Sequence, residues 1–162
     1  MILTTTFVIP FAGIVVLKFT RTIGNLQMDD RKERFFPFLF ICLFYIVTTF
    51  LFWQKFRFPP LVVNVMISIS LTLVLLTIIT LFWKISAHTT GISGTAGIFA
   101  ALLFGVDTSL IYIALIVTLF LMGLVGAARL ALNAHTEKQV WVGYVIGFLF
   151  NFTCVLILNS IA

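Results

Sequence analysis

The sequence has little charge, because only 9% of its 162 residues are Asp, Glu, Lys or Arg. Soluble domains carry roughly 25% charged residues, whereas 62% of this chain is hydrophobic. A soluble fold of this length could not hide so much apolar surface, so that class is excluded and the solvent is a bilayer. The length allows one compact helical bundle, and we expect a single domain over residues 1–162.

Cysteine and histidine are also scarce, with two of each. Cys42 and Cys154 lie inside hydrophobic runs, where small core residues are expected and no disulfide framework is implied. No basic residue precedes the first hydrophobic run and no small-residue cleavage site follows it, so we expect no cleavable signal peptide. The net charge of +5 favours lipid headgroups or phosphates as partners, and no nucleic acid.

Hydrophobic segments make up most of the chain. A spanning helix needs about 20 residues, and the segments are too long for barrel strands of about ten residues. We therefore predict an all-α integral membrane bundle of six transmembrane helices, multi-pass in the cell (inner) membrane. The first and fourth segments are short. The six segments are Ile2–Leu17, Phe38–Trp53, Leu61–Trp83, Ile92–Val106, Ser109–Ala128 and Val140–Ile161.

Small residues mark two of the predicted helices as packing helices. The fourth segment carries Gly94, Gly97 and Gly105, and the sixth carries Gly143 and Gly147 in a G-x-x-x-G pattern. Such residues let helix backbones approach closely inside a membrane. We expect both segments to pack against neighbouring helices rather than to face lipid.

Polar chemistry is concentrated on one side of the predicted bundle. In a chain of six spans, the first, third and fifth connections share a side. Those connections hold both histidines and eight of the ten Lys and Arg residues. By the positive-inside rule, this charge excess favours the cytoplasmic side.

An arginine and a histidine flank the last predicted connection in the pattern R-x5-H. Arg129 follows the predicted end of the fifth helix, and His135 precedes the sixth. A guanidinium suits phosphate oxygens, and a neutral imidazole can attack phosphorus and carry the phosphoryl group. Gln139, four residues on, would share a helical face with His135 and could fix its tautomer. Glu137 would point away on a helix. Alternatively, Arg129 and His135 anchor helix ends at headgroup level.

A second polar cluster separates the third and fourth helices. The run Lys84-Ile-Ser-Ala-His88 closes the third predicted helix, and Thr89-Thr90-Gly91 opens the fourth. A helix start carries unpaired N–H groups and a partial positive charge that favour an anion. His88 could donate a proton there to a leaving oxygen. The alternative is an interfacial histidine beside capping threonines.

The charged run 29–34 precedes the second predicted helix. By itself it is most simply a solvated loop with local ion pairs. Asp29, Asp30 and Glu33 could seek a metal, but no histidine or cysteine is near and basic neighbours compete for the carboxylates. We therefore expect no metal and no cofactor.

Together these three segments resemble the type 2 phosphatidic acid phosphatase family, whose motifs are K-x6-R-P, P-S-G-H and S-R-x5-H-x3-D. The third motif corresponds here to Ala128-Arg129-x5-His135-x3-Gln139, and the second to Ile85-Ser-Ala-His88. The resemblance covers about two-thirds of the chain. It implies a divergent small member of this family of membrane lipid phosphatases.

The first motif is the loosest match. Arg34 stands for its arginine, and Pro37 for its proline, two places late. Gln27 stands where the family has a lysine, and Lys32 or Arg31 is the candidate to supply that charge to the substrate phosphate.

The resemblance also assigns roles. His135 would be the nucleophile that forms a phosphohistidine, and His88 the general acid for the leaving alcohol. Arg34 and Arg129 would hold the non-bridging oxygens, with backbone N–H groups around Ser86 completing the site. The reaction needs no metal. Substrates would be lipid phosphates such as phosphatidate, phosphatidylglycerol phosphate or a polyprenyl pyrophosphate. The resemblance also implies a site that faces away from the cytoplasm, whereas the positive-inside rule favours the cytoplasmic side. A homo-oligomer is left open.

One departure from the family pattern keeps other functions open. Gln139 replaces an aspartate, and an amide can orient a histidine but cannot stabilise its positive form. In the serine protease template, an Asp→Asn change in that role costs about 10⁴ in rate. A catalytically degenerate lipid-phosphate-binding membrane protein is therefore the alternative. A small transporter subunit is a third class, disfavoured because the helix interiors carry no ionisable residue.

Overall fold

The computed structural model describes residues 4–20, 31–105 and 108–161, and within them every regular element is helical. This confirms the predicted all-α class for the described part of the chain. The elements in chain order are a π-helical segment Thr4–Val8, α1 (Ile9–Phe19), α2 (Arg31–Gln54), α3 (Pro60–Phe82), α4 (Ala87–Leu102), α5 (Ser109–Ala131) and α6 (Glu137–Ile161).

Among the described residues, four helices are long and apolar enough to cross a membrane. Their mean hydropathy lies between 2.1 and 2.6. Large apolar side chains cover their outer faces, as on α5, where Leu110 is 74% and Phe120 68% exposed. Such surfaces suggest a membrane protein. The apolar spans are Phe35–Gln54, Pro60–Phe82, Ser109–Ala131 and Glu137–Ile161.

The two remaining helices are too short to count as spans by length. α1 has 11 residues and α4 has 16, against about 20 for a spanning helix. The sequence had marked the first and fourth segments as short. The count of six transmembrane helices therefore stays a prediction.

Several helix boundaries differ from the hydropathy-based segments. α2 begins at Arg31 and contains Pro37, which had been assigned to the connection before it. α5 continues to Ala131, and α6 begins at Glu137 instead of Val140. The prediction that residues 84–88 close the third helix is wrong. α3 ends at Phe82 because Trp83 adopts extended backbone angles, and a capping serine starts α4 at Ala87.

The chain divides into two compact units, Met1–Trp83 and Lys84–Ala162. In the first unit, α2 packs against α3 and also contacts α1. The Thr49 and Ser70 hydroxyls, both buried, lie 3.0 Å apart between α2 and α3. The single domain over residues 1–162 therefore stays a prediction.

In the second unit, α4 lies closely against α6. The Ser93 hydroxyl on α4 donates to the Gly143 carbonyl on α6 at 3.3 Å. A Cβ added to Gly147 would collide with the Ser93 hydroxyl and the Thr90 carbonyl, and one added to Gly97 would collide with the Phe148 carbonyl. The predicted packing role is confirmed for Gly94, Gly97, Gly143 and Gly147. It is wrong for Gly105, which follows the end of α4 and where an added Cβ would meet nothing within 4 Å. α4 also packs against α5.

Candidate functional site

The connection between α5 and α6 is a tight reversal built on one left-handed residue. Asn133 has φ of 49°, a conformation that asparagine tolerates better than most residues. Its N–H donates to the Leu130 carbonyl at 2.9 Å, and the Ala134 N–H donates to the Arg129 carbonyl at 3.2 Å. These two bonds form a Schellman motif, which ends α5 and delivers His135 to the start of α6.

His135 is held by Gln139. The Nδ1 atom of His135 lies 2.9 Å from the Gln139 Oε1 atom, and the Thr136 N–H donates to the same oxygen at 3.3 Å. Gln139, in the N3 position of α6, thus caps the backbone N–H of Thr136 at the N-cap, which is one of the two hydrogen bonds of a capping box. Because a backbone N–H can only donate, the atom that it meets is the amide oxygen. That oxygen can only accept, so the neutral imidazole carries its proton on Nδ1 and its lone pair on Nε2.

His135 lines an open pocket of about 440 Å³ at the start of α6. The imidazole is only 9% exposed, so its ring is almost wholly enclosed by protein. The described residues that line the pocket are Lys84, Leu130, Asn133, Ala134, His135, Thr136, Glu137 and Gln139.

Glu137 lines this pocket as well, which corrects the expectation that it points away from His135. The expectation assumed that both residues lie on one helix, where positions two apart face different directions. His135 instead precedes the first residue of α6. The pocket therefore contains one carboxylate in addition to the histidine and the lysine.

The start of α4 is built differently. Ser86 is its N-cap and is fully buried, and its hydroxyl accepts from the Thr89 N–H at 3.4 Å. The Ser86 carbonyl accepts from the Thr89 and Thr90 hydroxyls, both at 3.0 Å. These contacts keep the serine and both threonines in the interior. His88, in the first turn of α4, is exposed and is not among the described residues that line the pocket.

The structure does not bring all the predicted phosphate-binding residues to this pocket. Arg129 lies in the last turn of α5 rather than after it and is partly exposed, and it is absent from the described lining. Lys32 and Arg34 belong to the first turn of α2, and their side chains lie outside the described part of the structure. Gln27 of the first motif and the acidic residues at 29 and 30 also lie outside the described residues.

The lining residues that were not assigned a role from the sequence include Lys84 and Asn133. Lys84 directly precedes the Ile-Ser-Ala-His match, so its place in the chain was a usable signal. Asn133 lies inside the R-x5-H spacing, where an asparagine near a helix end is a sign of a left-handed residue. Among the described residues, no group of three metal-ligating side chains is found.

Comparison with protein-family models, with curated proteins and with solved structures found no match for this chain.

Proposed function

We propose that this protein is a membrane lipid-phosphate phosphatase that acts through a phosphohistidine on His135. The observation that carries the proposal is the hydrogen bond between His135 and Gln139, 2.9 Å long, at the wall of an open pocket. It sets Nδ1 as the protonated nitrogen and leaves the lone pair of the neutral ring on Nε2. A nucleophilic histidine requires that tautomer, and a purely interfacial histidine does not.

The proposed chemistry has two steps. The Nε2 lone pair of His135 attacks phosphorus, the bond from phosphorus to the ester oxygen breaks, and protonated His88 gives its proton to the leaving alcohol. Neutral His88 then takes a proton from water, whose oxygen attacks phosphorus while the P–N bond breaks. Inorganic phosphate leaves, and both histidines return to their starting states. No metal takes part in either step.

The family resemblance assigns the phosphate contacts of this proposal. Arg129 and Arg34 bind the non-bridging oxygens, and Lys32 adds charge near the start of α2. Backbone N–H groups at the start of α4, which Ser86 caps, complete the set. The long apolar helices support a lipid as substrate, because an amphiphile places its phosphate at helix ends and its tail in the bilayer. Multi-pass insertion in the inner membrane with six spans belongs to the same proposal.

A second candidate is a protein that binds lipid phosphates without hydrolysing them. Two observations favour it. His88 is exposed and lies outside the described lining of the pocket, and Gln139 offers His135 an amide where a carboxylate would stabilise positive charge. The binding protein would use the same pocket as the phosphatase and would differ only in not hydrolysing the bound lipid phosphate.

Phosphate release from lipid phosphates tests the proposal. Protein purified in detergent, in the presence of a chelator, is incubated with short-chain phosphatidate, phosphatidylglycerol phosphate and a polyprenyl pyrophosphate. We expect release from at least one of them, and a phosphoenzyme that is labile to acid and stable to base, as expected of phosphohistidine. His135→Ala removes the nucleophile and is expected to abolish both signals, while lipid phosphate binding remains.

The two candidates give opposite results in this assay. Tight lipid phosphate binding without phosphate release from any of the three substrates would establish the binding protein and end the phosphatase proposal. Release that His135→Ala leaves unchanged would show that another group carries the phosphoryl transfer. His135→Gln serves as a second variant, because it keeps a polar side chain at this position should the alanine variant unfold.

A further inference from the structure

We infer that Lys84 is a phosphate-binding residue of the His135 pocket. The inference rests on the proposed function and adds a residue that neither the motif match nor the composition had assigned. Lys84 is the one Lys or Arg among the described residues that line the pocket. A positive charge beside the proposed nucleophile is what a phosphate dianion requires there.

The chain holds the Lys84 backbone in place from both sides. Trp83 before it is extended, with φ of −147° and ψ of 144°. Ile85 after it is 1% exposed, and Ser86 is fixed as the N-cap of α4. Lys84 itself is partly exposed. A flexible side chain therefore extends from an anchored backbone toward the pocket, which suits a lysine that follows a phosphate through the reaction.

The charges around the pocket also support a phosphate-binding role for Lys84. Glu137 lines the pocket together with Lys84, yet no ion pair of Lys84 is found among the described residues. Among the described lining residues, Lys84 is the one that offers a positive charge to an incoming anion. Without it, the described lining would hold one carboxylate and no Lys or Arg, and would repel a phosphate.

This assignment also accounts for the lysine missing from the first motif. Gln27 occupies the position where the resemblance leads one to expect that lysine. Lys84 lies beside the second motif instead, and it reaches the pocket from the connection that starts α4. The Lys84 ammonium would neutralise phosphate charge in place of the lysine that the first motif lacks, and it would do so from a different part of the chain.

Lys84→Gln, with Lys138→Gln as the matched control, tests the inference. Both changes remove one positive charge, but Lys138 is exposed and is not among the described lining residues. A contact between an ammonium and a phosphate, once lost, lowers kcat/KM about 10- to 100-fold. We expect that loss for Lys84→Gln on short-chain phosphatidate, less than about twofold for Lys138→Gln, and partial recovery in Lys84→Arg.

Binding measurements separate failure of this inference from failure of the proposed function. Inorganic phosphate and short-chain phosphatidate are each titrated into His135→Ala protein with and without Lys84→Gln, so that hydrolysis plays no part. Weaker binding of either probe by about tenfold or more supports the role of Lys84, even if the wild-type protein hydrolyses nothing. An effect on both probes identifies the phosphate group as the ligand, and an effect on phosphatidate alone identifies the complete headgroup.

Equal behaviour of Lys84→Gln and Lys138→Gln in turnover and in both titrations would overturn the inference while leaving the phosphatase proposal intact. That result would make Lys84 an interfacial anchor beyond the end of α3. Failure of the wild-type protein to bind or hydrolyse any probe would overturn both proposals together. Thermal unfolding of each variant in detergent identifies a change that acts through the fold instead.

Discussion

The two helices that carry the histidines begin in different ways. α4 is capped by the Ser86 side chain, whose hydroxyl is used within the cap, and His88 lies outside it on the exposed side. α6 is capped by Thr136 and Gln139, and the same amide oxygen that completes the cap also holds His135. The α6 cap includes its histidine in its hydrogen bonds, whereas His88 is an exposed residue in the first turn of α4.

This difference suggests that the two histidines have different roles. A nucleophile must present one nitrogen in one direction, so a held ring suits it. A proton donor must reach a leaving group whose position depends on the bound lipid, and the exposed ring of His88 can serve there. Substitutions at the two helix starts test whether these starts differ in function as they do in structure.

After the loss of activity expected of His135→Ala, the largest expected effect is on His88. His88→Ala should lower kcat with an alkyl lipid phosphate about 10²- to 10⁴-fold, because the alkoxide would have to leave without a proton. With a p-nitrophenyl phosphate ester, whose leaving group needs no proton, the loss should be small. Steady-state rates on the two substrates give the comparison.

The corresponding control is His135→Ala, which should lose activity on both substrates equally. Equal losses for His88→Ala on both substrates would instead show that His88 is not the proton donor. The two histidines would then share a role that their structural settings do not suggest.

A smaller effect is expected from strengthening the α6 cap. Gln139→Glu keeps the side-chain length and both hydrogen bonds, and it adds negative charge where the attacking imidazole becomes positive. We expect kcat to rise about 10- to 100-fold, a part of the factor associated with the carboxylate in the protease template. The acid side of the pH–rate profile should move to higher pH, because a neutral histidine is harder to maintain beside a carboxylate.

Gln139→Met, which has similar length but accepts no comparable hydrogen bond, serves as the opposite control. It should lower kcat and also destabilise the fold by about 1 kcal/mol through loss of the cap. An unchanged kcat in Gln139→Glu would mean that the missing carboxylate does not limit the reaction. Steady-state kinetics between pH 5 and pH 9 cover both variants.

The smallest effect concerns stability, at the contact that ties the two helix starts together. A Cβ on Gly143 would lie 3.1 Å from the Ser86 carbonyl and from the Thr90 hydroxyl, and closer still to the Thr89 hydroxyl. Gly143→Ala should therefore destabilise the protein by about 1–3 kcal/mol through overpacking. Thermal or denaturant unfolding in detergent measures this change.

Gly91→Ala provides the matched control on α4. A Cβ at Gly91 meets nothing within 4 Å, so alanine should stabilise the helix by about 0.5–1 kcal/mol. Opposite signs for the two substitutions would confirm the close approach of α6 to the start of α4. Stabilisation by both would show that the two helices can separate there at little cost.

Hydropathy alone was enough to predict the all-α class and the approximate positions of the helices. Long apolar runs located the helices, and their lengths singled out α1 and α4 as short. The small residues of the fourth and sixth segments indicated that both helices pack closely against neighbours, but the pairing of α4 with α6 came from the structure. The boundaries were less accurate because hydropathy does not register caps: Ser86, Thr136 and Gln139 extend helices into polar sequence through hydrogen bonds to backbone groups.

The candidate site was only partly visible in the sequence. The spacing from His135 to Gln139 suggested their hydrogen bond, because four residues correspond to about one helical turn. Lys84 and Asn133 were missed because Lys84 lies in a loop and Asn133 in a left-handed turn. Neither structure produces a periodic pattern in the sequence. Glu137 was misplaced because a helical rule was applied across the first residue of α6.

The lengths of α4 and α6 have a consequence for the bilayer itself. With a rise of 1.5 Å per residue, the 16 residues of α4 cover about 24 Å and the 25 of α6 about 37 Å. Gly143, about 9 Å past the start of α6, lies against Ser86, Thr89 and Thr90 at the start of α4. In a hydrocarbon core about 30 Å thick, the start of α4 would lie below the plane of the headgroups, and local thinning of the membrane would bring water and phosphate down to His88.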